Sequence, residues 1–234
     1  MQNLPTAEIY EKEFRYFPWG ILVKQIEDIV LTKAPSDGTV LDLMCGTGYS
    51  LAELHKKRID LVLTGVDLEP EFIQYAKAHY RGIDFVVADA FEWQPPGKYN
   101  VVLCMAGVHH LQYEKQEPFI KKISKLITDD GLAIVADPYI DDYKDEGERK
   151  IASAKLGYEY LIATIQNDAP EEIVEAAIGI SRNDVLGIEY KSSLKRMKLV
   201  FEKYFATADL HKTWPNHDSE YGDYYFVLRN PTIT

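Results

Sequence analysis

In the segment VLDLMCGTGYSLAEL an apolar run ends in Asp42 and passes through Met44, Gly46 and Gly48 into a helical pattern. Glycines at such a turn permit a tight reversal and let backbone approach a ligand, while the free amides of the helix start favour an anionic group such as a carboxylate. The competing reading is a turn that needs glycine only for its geometry. The next apolar run, LTGVD, ends in Asp67, where a carboxylate can accept hydrogen bonds from both hydroxyls of a ribose. Alternatively Asp67 caps the helix beginning near Pro70, although Glu69 adjoins that start more closely. A third run, VVADAFEW, sets Asp89, Ala90 and Phe91 in a loop, where a carboxylate can accept from the exocyclic amine of an adenine and an apolar or aromatic neighbour can cover the ring. One acid on a loop is usually only solvated; three at successive strand tips are harder to assign to chance.

Those acids need a scaffold that brings strand ends to one edge. From about Thr39 to Ala136 short β-branched runs alternate with helical patterns, which predicts βαβ units around a parallel sheet. TVLDLM, LVLTGVD, IDFVVAD, YNVVLCM and GLAIVAD read as strands one to five, near-continuously apolar as expected where helices cover both faces. YSLAELHKKR, EFIQYAKAHY and EKQEPFIKKISKLI carry the helical spacing of crossover helices. A last helix, SLKRMKLVFEKYF, precedes FATADLHK and DYYFVLRN, two strands joined by the turn-rich TWPNHDSEYG. The expected fold is α/β: a doubly wound, seven-stranded, mostly parallel sheet with a closing antiparallel hairpin strand. Residues 138–190 interrupt the alternation, and an insertion after a strand's carboxyl end sits over the ligand crevice, so this stretch reads as a helical lid, or else as a peripheral helical pair. The expectation is one domain over 1–234: a helical cover (1–34), a ligand-binding core (35–137), the lid (138–190), and the final helix and hairpin (191–234).

The bulk composition narrows the function. With 46% hydrophobic and 27% charged residues the chain is globular. A formal charge of -11 supplies no basic surplus for phosphates, so no nucleic-acid partner is expected. The first residues contain early acids and no apolar core of signal-peptide length, and no later stretch approaches a membrane span, which predicts a soluble cytoplasmic protein. Cys45 and Cys104 end apolar runs and suit reduced packing thiols. A homo-oligomer is compatible with all of this.

On these residues the sequence resembles a class I S-adenosylmethionine-dependent methyltransferase, with a Rossmann-like fold, across most of residues 35–137 and again at the final hairpin. In that family the first motif reads acid, any residue, then three glycines at alternate places; DLMCGTG keeps the acid and the last two glycines, with Met44 in place of the first. The resemblance implies S-adenosyl-L-methionine as cofactor: Asp42, Met44, Gly46 and Gly48 around its methionine end, Asp67 on the ribose, Asp89 with Ala90 and Phe91 at the adenine, and Leu68 as the apolar cover of that ring. A nicotinamide-binding oxidoreductase is disfavoured, because GTGYSL places Leu51 where the third fingerprint glycine would fall.

The resemblance also locates the chemistry. Strand four ends in YNVVLCMAGVHHL, whose Met105 and Ala106 should line the channel between cofactor and acceptor. Methyl transfer needs alignment and exclusion of water more than it needs a base. For a hydroxyl acceptor, His109 and His110 are candidate proton acceptors, or else they cap the loop. The Asn- or Asp-Pro-Pro-aromatic motif of nucleobase and glutamine N-methylating enzymes is absent here. After strand five, Asp137 and Tyr139 orient the acceptor, assist a histidine, or merely start the lid; in the lid, Tyr158, Tyr160 and Arg182 are candidate acceptor contacts. Tyr10, Phe14, Tyr16, Phe17 and Trp19 crowd the amino-terminal stretch, with Tyr16 able to meet the sulfonium or carboxylate end, or else dock on the core. Asp137, Asp141 and Asp142 are close in sequence, but their spacing identifies no metal site, so none is expected. The reading is methyl transfer to a small-molecule acceptor, with oxygen or carbon favoured over nitrogen; the alternatives are a cofactor-binding protein without turnover and a protein or RNA methyltransferase.

Overall fold

The computed structural model describes residues 5–232. Two helices, α1 (Ala7–Tyr16) and α2 (Trp19–Lys33), precede an alternation of β1 (Thr39–Leu43), α3 (Tyr49–Lys57), β2 (Val62–Asp67), α4 (Pro70–His79), β3 (Asp84–Val87), β4 (Tyr99–Met105), α5 (Tyr113–Leu126) and β5 (Ile127–Tyr139). Two further helices, α6 (Glu146–Gln166) and α7 (Glu171–Leu186), follow, and then α8 (Leu194–Tyr204), β6 (Phe205–Trp214) and β7 (Gly222–Pro231). The seven strands form one sheet in the order β3-β2-β1-β4-β5-β7-β6. Strands β1 to β5 run parallel, and β7 enters antiparallel between β5 and β6.

Strand periodicity explains the two-sided core. Alternate residues of a strand face opposite sides, so Leu41, Leu43, Val102, Cys104, Ala133 and Val135 join one buried cluster with α5 and α8. Their neighbours Val40, Val101, Leu103, Leu132, Ile134 and Ala136 join another with α2, α3 and α4. Each fully buried Leu, Ile, Val or Phe side chain contributes roughly 1.5–3 kcal/mol, which is why the runs hold few polar residues outside the strand tips.

Chain order reverses between β1 and β4, which opens a crevice at their carboxyl ends. Two boundaries differ from the sequence reading in ways that matter there. Strand β3 stops at Val87, two residues short of the run IDFVVAD, which leaves Asp89 on the expected loop. Strand β5 extends to Tyr139, because β7 pairs Tyr224 with Asp137 and Gly222 with Tyr139; Asp137 and Tyr139 therefore sit in a strand. Above the crevice pack α6 and α7. The first is capped by Asp145, whose side chain accepts from the Glu148 amide, and the second ends on Gly187 at φ 75°.

Candidate active site

The loop after β1 reverses through left-handed backbone at Met44 (φ 61°), Gly46 (φ 55°) and Gly48 (φ 75°). Glycine reaches that region freely, whereas a side chain there costs about 1–2 kcal/mol, so Met44 occupies a strained position. The Tyr10 ring of α1 covers the loop: a Cβ on Gly46 would lie 3.0 Å from a ring carbon. Asp67 holds the loop from the next strand, its carboxylate accepting from the Gly46 amide at 2.8 Å and from the Glu69 amide at 2.9 Å. The cap of α4 is Glu69, whose side chain accepts from Glu71. Below the loop Asp42 is buried with one carboxyl oxygen unpartnered. Burial, reinforced by the neighbouring Asp67, pushes its pKa up to about 8.

At the other end of the crevice Leu68 is 66% exposed and lines the cavity beside Asp89 and the buried Ala90. Asp89 accepts from the Phe91 amide at 2.8 Å. Phe91 itself turns inward and stacks on Phe119 of α5, with ring centroids 6.3 Å apart. The same loop is pinned by Lys122, whose ammonium donates to the carbonyls of Ala90 and Phe91, each at 2.9 Å, and of Trp93.

Beyond β4, Met105 borders a small recess with Asp42 and Met44, and Ala106 (φ 50°) faces the main cavity. One short turn, Val108–His110, then presents both histidines to that cavity. His109 is buried; its Nδ1 lies 2.6 Å from Asp137 Oδ1 and its Nε2 lies 3.9 Å from Glu189. His110, with 45% of its side chain exposed, places Nδ1 2.7 Å from the same Glu189 oxygen. Burial, then His110 and Lys191, push the His109 pKa well below the ordinary value. Burial raises Asp137 to about 7. Burial opposes ionisation of both His110 and Glu189, yet their mutual hydrogen bond prevails, raising His110 and holding Glu189 at about 2. Nearby Lys191, also buried, is paired with Asp184, and the Tyr160 hydroxyl of α6 donates to the buried Asp223 of β7. Ligand atoms of His109, His110 and Glu189 lie within 4.8 Å of one another, a spacing that could hold a metal ion. Two of the four imidazole nitrogens are already used, by Asp137 and Glu189.

These groups share one cavity of about 1120 Å³ between the sheet edge, α1 and the α6–α7 lid. Of the residues singled out in sequence, Asp67, Leu68, Asp89, Ala90, Ala106, His109, His110 and Arg182 line it, with Met44 and Gly46. Asp137 stands behind His109. Gly48 starts α3, and a Cβ there would collide with the Phe85 ring at 2.4 Å, so its role is helix–sheet packing. Tyr16 packs against the lid cluster of Phe17, Ile173 and Ala177, and its carbonyl accepts from Asn167. Tyr139 is in the core against Tyr224 and Phe226. Tyr158 is 63% exposed on α6, away from the cavity wall. Asp141 pairs with Lys155, and Asp142 with Lys195 and Arg196. The sequence reading did not single out Glu13, Asp184, Glu189, Lys191 or Asp223, of which only the acidic or basic type was visible.

Comparison with known proteins agrees with this geometry. The methyltransferase-domain family model matches residues 40–131. A carboxy-S-adenosyl-L-methionine synthase of Nautilia profundicola is 29% identical over 190 residues, covering 77% of this chain and 80% of that protein. The synthase of Campylobacter fetus is 29% identical over 56% of this chain, and the trans-aconitate 2-methyltransferase of Escherichia coli O157:H7 is 27% identical over 56%. The chain spans little more than half the length of these last two relatives, 57% and 58%. Among solved structures, the plantazolicin methyltransferase BpumL shares the fold with a TM-score of 0.65 and 12% identity, covering 95% of this chain and 89% of that one. A TehB-like methyltransferase of Corynebacterium glutamicum does so at 0.56 and 16%, covering 96% and 97%. Residues 40–131 thus match a methyltransferase domain, and the sheet order shares the fold of these methyltransferase structures.

Proposed function

We propose that the protein transfers the methyl group of S-adenosylmethionine to a small-molecule acceptor held under the α6–α7 lid, with oxygen or carbon as the acceptor atom. The observation that carries this reading is a single cavity lined at one end by Gly46, Asp67 and Asp89 and at the other by His109 and His110. The residues fit the cofactor. Asp42, with its unpartnered buried oxygen, would meet the cationic methionine end, Asp67 would hold the ribose, and Leu68 with Ala90 would cover the base. When bound, the cofactor supplies a methyl group already activated by a positive sulfur. The chain's residues must then align the acceptor and exclude water, a task for the lid and for Tyr160.

The preference for oxygen or carbon rests on His109. A hydroxyl or carbon acid must lose a proton as it is methylated, whereas a carboxylate or a neutral amine already offers a lone pair. Burial keeps the His109 imidazole neutral, and Asp137, a hydrogen-bond acceptor when ionised, takes its Nδ1–H, so that Nε2 is left as the base. His110, bonded to Glu189, serves as a hydrogen-bond donor beside it. Similarity to trans-aconitate 2-methyltransferases supports a small acceptor. The test is a panel of phenols, alcohols and activated carbon acids, read by mass spectrometry with wild type and His109→Gln. Product with an oxygen or carbon acid is expected, with turnover falling on the order of 10²-fold in the variant. Methylation of amines alone, or unchanged turnover in the variant, contradicts the proposal.

A further inference from the structure

Glu13 is assigned no part in the reading above. It sits on the cavity side of α1, one helical turn from Tyr10, and only 8% of it is exposed. Its Oε1 is buried and has no hydrogen-bond partner. A buried, unpartnered carboxyl group costs free energy unless something compensates it. Its neighbours on the same wall, Phe14, Phe17 and Trp19, are aromatic. Tyr10, enclosed against the glycine loop, feels the charges of Glu13, Asp67 and Asp42 together, so three carboxyl groups converge on one end of the crevice. Asp67 is satisfied by two backbone amides, whereas Asp42 and Glu13 each keep an oxygen without a partner. Aromatic walls around an acidic group form a site for a compact organic cation, because ring faces and carboxylate both attract positive charge.

We infer that Glu13 is a binding residue for the cationic methionine end of the cofactor, its carboxylate meeting a positive group that enters between Tyr10, Phe14 and Trp19. The inference rests on the methyltransferase reading, which supplies such a ligand with two cationic groups, a sulfonium and an α-ammonium. Asp42, buried below the glycine loop beside the small recess, matches one of them; Glu13 on the cavity wall supplies the second. Because α1 also bonds through Glu11 to Tyr75 and Tyr80 of the core and through Lys12 to Glu172 of the lid, cofactor charge would also steady the helix that closes the cavity.

Calorimetric titration of wild type, Glu13→Gln and Glu13→Met with S-adenosylmethionine and with S-adenosylhomocysteine tests this. Both substitutions remove an unpartnered buried acid, so both variants should fold; melting curves verify it. Loss of about tenfold or more in S-adenosylmethionine affinity is expected in both variants. If S-adenosylhomocysteine, which keeps the ammonium but lacks the sulfonium, is unchanged, the partner is the sulfonium; an equal loss assigns the ammonium. Either pattern supports the inference. Affinities within twofold of wild type for both ligands overturn it while leaving the methyltransferase reading standing. Failure of wild type to bind either ligand overturns both.

Discussion

His109 Nδ1 lies 2.6 Å from Asp137 Oδ1, a buried contact that joins the turn after β4 to the last residues of β5. An ionised carboxylate can only accept, so above about pH 7, where Asp137 is ionised, the proton rests on Nδ1 and Nε2 carries the lone pair. Burial also holds His109 in its neutral form. Imidazole ¹⁵N spectra should therefore show a neutral His109 from about pH 6 to 8, as the Nδ1–H tautomer above about pH 7 where Asp137 is ionised, and Asp137→Asn should scramble that tautomer. A His109 that becomes charged within this range contradicts the base assignment.

Met44 offers a clean contrast of sign. Its φ of 61° penalises any side chain, and Met44→Gly removes that cost. Met44→Ala keeps the Cβ and loses the packing of the thioether beside Gly107. The glycine variant should be the more stable of the two by about 1 kcal/mol in urea unfolding, with cofactor affinity no weaker than wild type. The reverse order would show that the loop relaxes around Met44.

Asp42 makes stability depend on pH. Its pKa is raised in the folded protein to about 8 from an ordinary 3.8. Below about pH 4 both states hold the proton; as the pH rises toward 8 the unfolded chain ionises while the native Asp42 does not, so the stability it contributes is progressively lost. Asp42→Asn removes this dependence. The stability gap between the variant and wild type should shift in favour of the variant between about pH 5 and pH 8, and a constant gap would refute the raised pKa.

Lys122 holds the loop after β3 through carbonyls and contributes no cavity surface of its own. Lys122→Met should weaken S-adenosylhomocysteine binding by about 3- to 30-fold while the His109 spectrum stays unchanged. Equal affinity would show that the loop keeps its shape without the ammonium.

The parts legible in sequence were those set by local pattern. Apolar runs announced strands buried on both faces, and Asp42, Asp67 and Asp89 stood out because each is an acid at the end of such a run. What escaped was decided by docking. Five aromatics within ten residues of the amino-terminal stretch did not reveal which faces the glycine loop; the phase in which α1 packs against α4 and α7 selects Tyr10 and sends Tyr16 to the lid. Glu189 and Lys191 reach the histidines because the chain returns from α7 alongside the end of β5, where Ile140 bridges Ser193. In a polar segment such residues read as solvated. Asp223 likewise became part of the site only through the pairing of β7 with β5.

The most direct test of the account is calorimetric titration of wild type and Asp67→Ala with S-adenosylmethionine and S-adenosylhomocysteine, with NAD as control. The account predicts that wild type binds both sulfur ligands and not NAD. It also predicts that Asp67→Ala, which loses both the ribose acceptor and the anchor of the Gly46 amide, binds them about 10- to 100-fold more weakly. Binding of NAD in their place, or undiminished binding by the variant, would contradict it.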